Sequence, residues 1–311
     1  MIRQSYYPFK SERSKSEYEA YYRERAKACP VASETMLLDT LSGTTHIRAS
    51  GRASDPPLVL LPGARVSSLM WDDSIAALAA HHRTYALDII GDSGLSVSRR
   101  ETLKPEDLTR WLDEVLAMLV PQGQCSLMGI SYGGLIAGQY ALRFPGRVRS
   151  VVLLAPGGLV LPLSWSFFVR ITLLSLPLPG RSEGPLSRVL HWLSPDAERG
   201  DDACRARVER ALADVQMAWR HMALPAPEWP TALDDQTWRD FSVPCLFVVG
   251  EHEKIYSAKA AVKRLNRVAP QVRTEVIPGA GHGLTITQPD LVARKALEFL
   301  EERERASTRA A

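Results

Sequence analysis

The stretch Gly129-Ile130-Ser131-Tyr132-Gly133 places a serine between two glycines, directly after an apolar run and directly before a helical pattern. The preceding run, residues 125–128, predicts a short buried strand, and apolar residues recur at helical spacing from Leu135 to Phe144. Ser131 is therefore predicted on a sharp strand-to-helix turn, where the glycines allow the two elements to approach closely. Taken alone, the five-residue pattern also fits an ordinary loop, so its neighbours in the chain decide between the two interpretations.

The composition fits a large globular core with an insertion. The 311 residues are 45% hydrophobic and 23% charged, which is enough for one α/β core and an added subdomain. The net charge is only +3, and basic residues alternate with acidic ones, so we expect no nucleic-acid partner. Residues 1–27 are rich in charged residues and tyrosine and lack the apolar core of a secretory signal, which predicts a cytoplasmic protein.

The longest apolar region and the cysteines exclude two further classes. Residues 151–178 have the length of a membrane span, but Pro156, Pro162 and Arg170 interrupt them. We predict a strand followed by a separate helix there, and no membrane span. The four cysteines are widely separated and have no CxxC spacing, which argues against a disulfide framework and against a zinc site.

Short apolar runs alternate with amphipathic patterns along the chain, which predicts a mainly parallel sheet covered by helices. The predicted strands are Leu58 to Leu61, Thr84 to Leu87, Cys125 to Ile130, Val151 to Leu154, Leu246 to Val249 and Thr274 to Ile277, preceded by a hairpin of Thr35 to Asp39 and Thr44 to Ala49. The predicted helices are Ser14 to Lys27, Ser67 to Ala80, Pro105 to Leu119, Tyr132 to Phe144, Ala258 to Val268 and Pro289 to Leu300. The polar tail after residue 300 is predicted to fray.

The alternation stops near Gly157 and resumes near Val243, which predicts an inserted helical cap at residues 158–240 between two parts of the core, 1–157 and 241–311. Tryptophans are concentrated in this cap: Trp165, Trp192, Trp219, Trp229 and Trp238. Each could belong to the cap's own core, but together such residues are expected to line a pocket. The pocket candidates are Trp165, Met217 and, outside the cap, Tyr256.

With these elements in place, the chain resembles the α/β-hydrolase family from about Thr35 to Leu300. The resemblance implies a mostly parallel eight-stranded sheet with flanking helices, and a nucleophile at Ser131. The run Leu60-Leu61-Pro62-Gly63-Ala64 is similar to the family's oxyanion loop, with Pro62 in place of the usual histidine. By this resemblance the backbone N–H groups of Ala64 and Tyr132 form the oxyanion hole.

The base and the acid of a triad follow in the family's order. His282, in Gly279-Ala280-Gly281-His282-Gly283, stands where the family carries its histidine, and an imidazole can take and return the serine proton near neutral pH. Glu253 stands where the family usually has aspartate, and Glu251 is the competing candidate. Surface or helix roles are expected for the other six histidines, and Asp88 and Asp92 are expected to cap turns.

The resemblance, closest to capped bacterial carboxylesterases, implies hydrolysis of a carboxylic ester through an acyl-enzyme, without metal or organic cofactor. A thioesterase or acyltransferase acting on a carrier-bound acyl chain would use the same triad, with an acyl carrier protein as partner. Arg65, Arg170 and Arg181 are candidates to meet a phosphopantetheine or carboxylate group, and solvated surface positions are the favoured alternative for them. A small-molecule binding protein with the same fold and no turnover is the third alternative. The sequence leaves the oligomeric state open.

Overall fold

The computed structural model describes residues 8–100, 103–121, 123–175, 184–225, 228 and 231–310. Nine strands in these ranges form one sheet. The strands are β1 (Glu34–Asp39), β2 (Gly43–Ser50), β3 (Pro57–Leu61), β4 (Arg83–Leu87), β5 (Val97–Ser98), β6 (Cys125–Ile130), β7 (Val148–Leu154), β8 (Cys245–Gly250) and β9 (Arg273–Ile277).

The strand order is β1-β2-β4-β3-β6-β7-β8-β9, with the two-residue β5 paired to β2. The pairs from β4 through β9 are parallel, whereas β1, β2 and β5 pair antiparallel. The expected mainly parallel sheet with an antiparallel hairpin at its edge is therefore confirmed. The expected number of eight strands omitted β5, which is too short to leave an alternating pattern in the sequence.

Eleven helices flank the sheet in the described ranges. They are α1 (Glu12–Ala26), α2 (Asp72–Ala79), α3 (Pro105–Leu119), α4 (Tyr132–Arg143), α5 (Trp165–Ser175), α6 (Pro185–Leu193), α7 (Asp202–His221), α8 (Asp235–Arg239), α9 (Ala258–Val268), α10 (Leu284–Thr287) and α11 (Pro289–Ala310). The predicted helix over Ser67 to Ala80 is in fact a 3₁₀ turn, Ser68–Trp71, followed by α2. The described residues between 158 and 240 form helices and turns, and the division into domains stays a prediction.

The prediction that the chain frays after residue 300 is wrong, because α11 continues to Ala310. Two contacts account for the extension. The side chain of Glu304 lies 3.0 Å from Nε2 of the buried His82, and Arg305 pairs with Glu301 one turn earlier at 3.3 Å. Pairs at this spacing add a few tenths of a kcal/mol to an exposed helix, roughly 0.3 to 0.5.

Both faces of the sheet are buried, because successive side chains of a strand point to opposite faces. Leu127 and Met128 are neighbours in β6, yet Leu127 packs with Trp111 of α3 in one apolar cluster and Met128 packs with Trp71 and Phe299 in another. All five side chains are at most 2% exposed. The strands around β6 are therefore enclosed on both sides, and loops at their ends are the parts of the core open to substrate.

The N-terminal helix α1 joins the core to cap helix α7. Tyr21 donates a hydrogen bond to Asp214 of α7 at 2.6 Å, and Arg25 pairs with Asp72 of α2 at 2.9 Å. Tyr18 and Tyr22 of α1 are buried. Within the described residues no helix combines the length and apolarity needed to cross a bilayer.

Candidate active site

The candidate site lies at the carboxyl edge of the parallel strands. Parallel strands end on the same edge of a sheet, which is where ligands bind in open α/β sheets. Ser131 follows β6, Ala64 follows β3, Glu253 follows β8 and His282 follows β9. The topology therefore brings together four segments that are far apart in the sequence.

Ser131 occupies a strained backbone conformation at the turn between β6 and α4. Its φ is +52°, a region that non-glycine residues rarely adopt and that costs about 1–3 kcal/mol. The surrounding core holds it there: its N–H donates to Leu154 O at 2.9 Å, and its carbonyl accepts the N–H groups of Leu135 and Gly157 at 3.0 and 3.1 Å. The predicted sharp turn is present, with the serine side chain presented above the strand ends.

Three polar side chains form a continuous hydrogen-bonded chain. Ser131 Oγ lies 3.0 Å from His282 Nε2, and His282 Nδ1 lies 2.8 Å from Glu253 Oε2. The Glu253 side chain is fully buried and that of His282 is 12% exposed. A carboxylate only accepts hydrogen bonds, so it favours the proton on Nδ1 and leaves Nε2 to accept the serine hydroxyl proton.

Glutamate fits in place of the family's aspartate because its other oxygen bonds its own loop. Glu253 Oε1 accepts the N–H groups of Lys254 and Ile255 at 2.7 and 2.9 Å. The competing candidate Glu251 instead accepts the N–H of Gly279 at 2.9 Å on the exposed side of the loop. The structure therefore brings Glu253, and not Glu251, to His282.

The loop after β3 lies against the serine turn. A side chain at Gly133 would overlap the carbonyl oxygens of Leu61 and Pro62, so the loop backbone is in direct contact with the start of α4. Pro62 does not keep the loop away from this turn. Among the residues that the structure describes, none accepts the N–H of Ala64, which leaves that donor available beside Ser131.

Asp92 holds the residue that follows Ala64. The N–H of Arg65 donates to both carboxylate oxygens of Asp92, at 3.1 and 3.2 Å, and Arg65 has a φ of +65°. Burial raises the pKa of Asp92. Burial and then the charge of Asp92 also raise the pKa of Tyr132, so its phenol stays protonated at neutral pH. Asp92 therefore holds the loop after β3 at Arg65, across 27 residues of sequence, and does more than cap a local turn.

The chain matches the model of the alpha/beta hydrolase family over residues 58–295. It belongs to that family. Two relatives from Bacillus subtilis (strain 168) are similar to this hydrolase. The uncharacterized carboxylesterase nap is 32% identical over 282 residues, which cover 91% of each chain. Carboxylesterase YbfK is 32% identical over 285 residues, 91% of this chain and 93% of its own.

A solved structure agrees with these relatives. The crystal structure of naproxen esterase (carboxylesterase NP) from Bacillus subtilis superposes on the hydrolase with a TM-score of 0.81 at 31% identity, covering 93% of this chain and 99% of the other. The expected fold and the expected resemblance to bacterial carboxylesterases are thereby confirmed.

The three pocket candidates of the hydrolase lie in different surroundings. Trp165 begins α5 and is 80% exposed, whereas Met217 packs against the aromatic cluster around Tyr18 and Tyr22 of α1. Tyr256 is buried in the main core, and its hydroxyl has no hydrogen-bond partner among the described residues. Burial, reinforced by the charge of Glu253, raises the pKa of Tyr256. Their role in a pocket stays a prediction.

The arginine candidates of the hydrolase already have neighbours. The guanidinium of Arg65 donates to the carbonyls of Leu224 and Pro225 in the cap. That of Arg170 lies 5.9 Å from the centre of the Trp192 ring. Arg181 falls outside the described residues. Arg65 thus joins the oxyanion loop to the cap.

Surface or helix roles do not hold for two of the other histidines, since His46 in β2 and His82 after α2 are buried outside helices, whereas His221 ends helix α7. His46 Nδ1 lies 3.0 Å from Asp88, which also accepts the N–H of Ser68 at 2.7 Å. Burial raises the pKa of Asp88, but His46 and the backbone N–H groups that bond the carboxylate lower it by more. The pKa of Asp88 therefore lies below its ordinary value. Alternation in β2 puts His46 on the face opposite Ile47 and Ala49, and the sequence pattern does not show that this second face is buried too.

Proposed function

We propose that this alpha/beta hydrolase is a serine carboxylesterase, with Ser131 as nucleophile, His282 as general base and Glu253 as the acid that orients it. The observation that carries the proposal is the unbroken chain from Ser131 Oγ to His282 Nε2 at 3.0 Å and from His282 Nδ1 to Glu253 at 2.8 Å. Nucleophile, base and orienting group within hydrogen-bond reach are the signature of an activated serine.

In this mechanism Ser131 Oγ attacks the ester carbonyl while its proton passes to His282 Nε2. Glu253 stabilises the imidazolium that forms. The N–H groups of Ala64 and Tyr132 bind the oxyanion of the tetrahedral intermediate, and each such donor stabilises the transition state by about 3 kcal/mol. His282 then gives its proton to the departing alcohol. The acyl group stays bound to Ser131.

The second step releases the acid. Water loses a proton to His282 Nε2 and attacks the acyl carbonyl, and the proton then returns to Ser131 Oγ. We infer a small-molecule ester as substrate, because the relatives that this chain matches over nine-tenths of its length are carboxylesterases. The mechanism uses side chains and backbone donors of this chain alone.

The test is a panel of p-nitrophenyl esters of increasing acyl length, with lactones and acyl thioesters beside them. We expect turnover of esters by the wild-type protein and a fall to the uncatalysed background in Ser131→Ala. Turnover of thioesters on a carrier protein with little turnover of simple esters would favour the thioesterase or acyltransferase. Ester turnover retained by Ser131→Ala would contradict the assignment.

A further inference from the structure

The loop that carries His282 is held by a turn of the cap, residues 193–196, which begins with the last residue of α6. The backbone N–H of His282 donates to Leu193 O at 2.7 Å. The preceding N–H, that of Gly281, donates to Oδ1 of Asp196 at 3.2 Å. Two consecutive backbone donors of the loop thus end on the same turn, and neither bond involves the sheet.

The packing between this turn and the loop is as close as backbone permits. A side chain at Gly281 would overlap Leu193 O and the ring of Pro195. A side chain at Gly283 would overlap the hydroxyl of Ser194, which is fully buried. The glycines on either side of His282 therefore allow the cap turn to press against the loop, and any shift of the turn is passed to the histidine.

A second cap residue holds the segment that follows the loop. Arg207 of α7 donates from Nε to Ile286 O at 2.8 Å, within α10. Since α10 begins two residues after His282, this contact fixes the other end of the loop. The histidine loop is thus held by the cap on both sides.

Asp196 is the only side chain of the 193–196 turn that directly bonds the loop backbone, within the residues described. Its second oxygen, Oδ2, is buried and has no hydrogen-bond partner among the described residues. An unpartnered buried carboxylate oxygen costs free energy, so the side chain is not placed here for the stability of the turn alone.

We propose that Asp196 is a positioning residue for His282, and that the cap thereby sets the distance between the imidazole and Ser131 Oγ. The inference rests on the proposed function, in which His282 is the base. Asp196 touches no reacting atom; it acts by holding the peptide that precedes His282. Displacement of a reacting group by about 1 Å can cost 10²-fold in rate, so a small shift of this loop is enough to affect turnover.

The test compares Asp196→Ala with Asp196→Asn and with Glu198→Ala, an exposed residue two positions away. We expect Asp196→Ala to lower kcat about tenfold with little change in KM, because loop placement affects the transition state more than ground-state binding. Asp196→Asn restores most of the rate, since its amide oxygen accepts the same N–H. Glu198→Ala behaves as wild type.

The pH profile of kcat/KM separates positioning from general stability. Loss of the Asp196 contact loosens the bond between His282 and Glu253, so the imidazolium is less stabilised and the acidic limb moves to lower pH. Circular dichroism shows whether Asp196→Ala folds. If it does not, Arg207→Met is the second test: it releases the loop from α7, and it must then lower kcat. Wild-type rates and an unshifted acidic limb in the folded variants would overturn the inference. Absence of ester turnover in the wild type would instead contradict the proposed function.

Discussion

The serine turn and the histidine loop lie 3.0 Å apart at their side chains, yet different parts of the molecule hold them. The N–H of Ser131 donates to Leu154 O in the neighbouring strand β7. The N–H of His282 donates to Leu193 O in the cap. The backbone N–H of Ser131 is therefore held by the core sheet, and that of His282 by residues of the predicted cap, between β7 and β8.

This difference separates two properties of the enzyme. A strained serine conformation persists only where its surroundings determine it fully, and the buried strands around β6 provide such surroundings. The carbonyl of Gly281 packs on Gly250 at the end of β8, but among the described residues the N–H groups of Gly281 and His282 donate only to residues 193–196. The position of the histidine loop therefore depends on these residues as well as on the sheet. We therefore expect changes in the core to affect folding and activity together, and changes at the cap to affect activity with little loss of folding.

The largest effect is expected for Gly133→Ala. The added Cβ would overlap the carbonyl oxygens of Leu61 and Pro62, so β3 or α4 has to move. We expect loss of activity and a destabilisation of about 3 kcal/mol or more, measured by urea unfolding. Gly146→Ala is the control, because nothing lies within 4 Å of its added Cβ. Wild-type stability in Gly133→Ala would contradict the expectation that changes in the core affect folding and activity together.

Glu253→Gln and Glu251→Gln form a matched pair within one loop. Glu253 orients His282, so its amide variant favours the wrong tautomer, and kcat should fall by about 10³–10⁴. Among the described residues the side chain of Glu251 bonds only the N–H of Gly279, and the amide oxygen of glutamine can still accept that bond, so kcat should stay close to wild type. Steady-state kinetics on one p-nitrophenyl ester decides. Equal losses in the two variants would mean that the acid is misassigned.

Gly281→Ala applies to the histidine loop the change that Gly133→Ala applies to the serine turn. Its Cβ would push Leu193 O and Pro195 away from the loop. Because the cap can move without unfolding the sheet, we expect kcat to fall about 10²-fold while the melting temperature stays near that of wild type. Gly184→Ala, an open position in the cap, is the control. If Gly281→Ala lost as much stability as Gly133→Ala, the serine turn and the histidine loop would not differ in the way we propose.

Asp92→Asn tests the proposed oxyanion loop after β3. This loop contacts the serine turn through Pro62 and the predicted cap through Arg65. Asp92 accepts the Arg65 N–H with both oxygens, and the amide retains one acceptor. We expect kcat to fall about tenfold, part of the 10²–10³ that loss of a whole oxyanion donor costs. Asp202→Asn, on the exposed start of α7, is the control. An unchanged kcat would show that the loop keeps its shape without the carboxylate.

The smallest effect is a pH dependence of stability at the same residue. Burial raises the pKa of Asp92 above its ordinary 3.8, so the folded state binds this proton more tightly than the unfolded state. The wild type therefore loses stability relative to Asp92→Asn as pH rises from about 4 through the raised pKa. Urea unfolding of both proteins across this range measures the difference. A wild-type advantage that grows with pH would contradict the assigned direction.

The sequence predicted the core better than it predicted the cap's contacts. Strands buried on both faces, such as Cys125–Ile130, are short apolar runs bounded by glycine, and the observed strand has the predicted bounds. Helices α3 and α9 also begin and end where their patterns indicate. Local propensity and burial agree in these elements, so a single sequence suffices.

The contacts of Asp196 and Asp92 could not be predicted in the same way. Each depends on a carboxylate that meets a backbone N–H of a distant segment, and such a meeting leaves no period or motif in the sequence. The extension of α11 to Ala310 likewise depends on Glu304 reaching the buried His82. Long-range polar contacts are decided by tertiary structure, and local pattern carries no record of them.

Covalent labelling tests whether Ser131 is the residue that becomes acylated, with His282 as its base. The protein is treated with a p-nitrophenyl phosphonate, and the label is located by peptide mass spectrometry while residual ester turnover is measured. We expect one phosphonyl group on Ser131, activity lost in proportion to labelling, and labelling slowed strongly in His282→Ala. A label on another residue, or full turnover by protein labelled at Ser131, would contradict it.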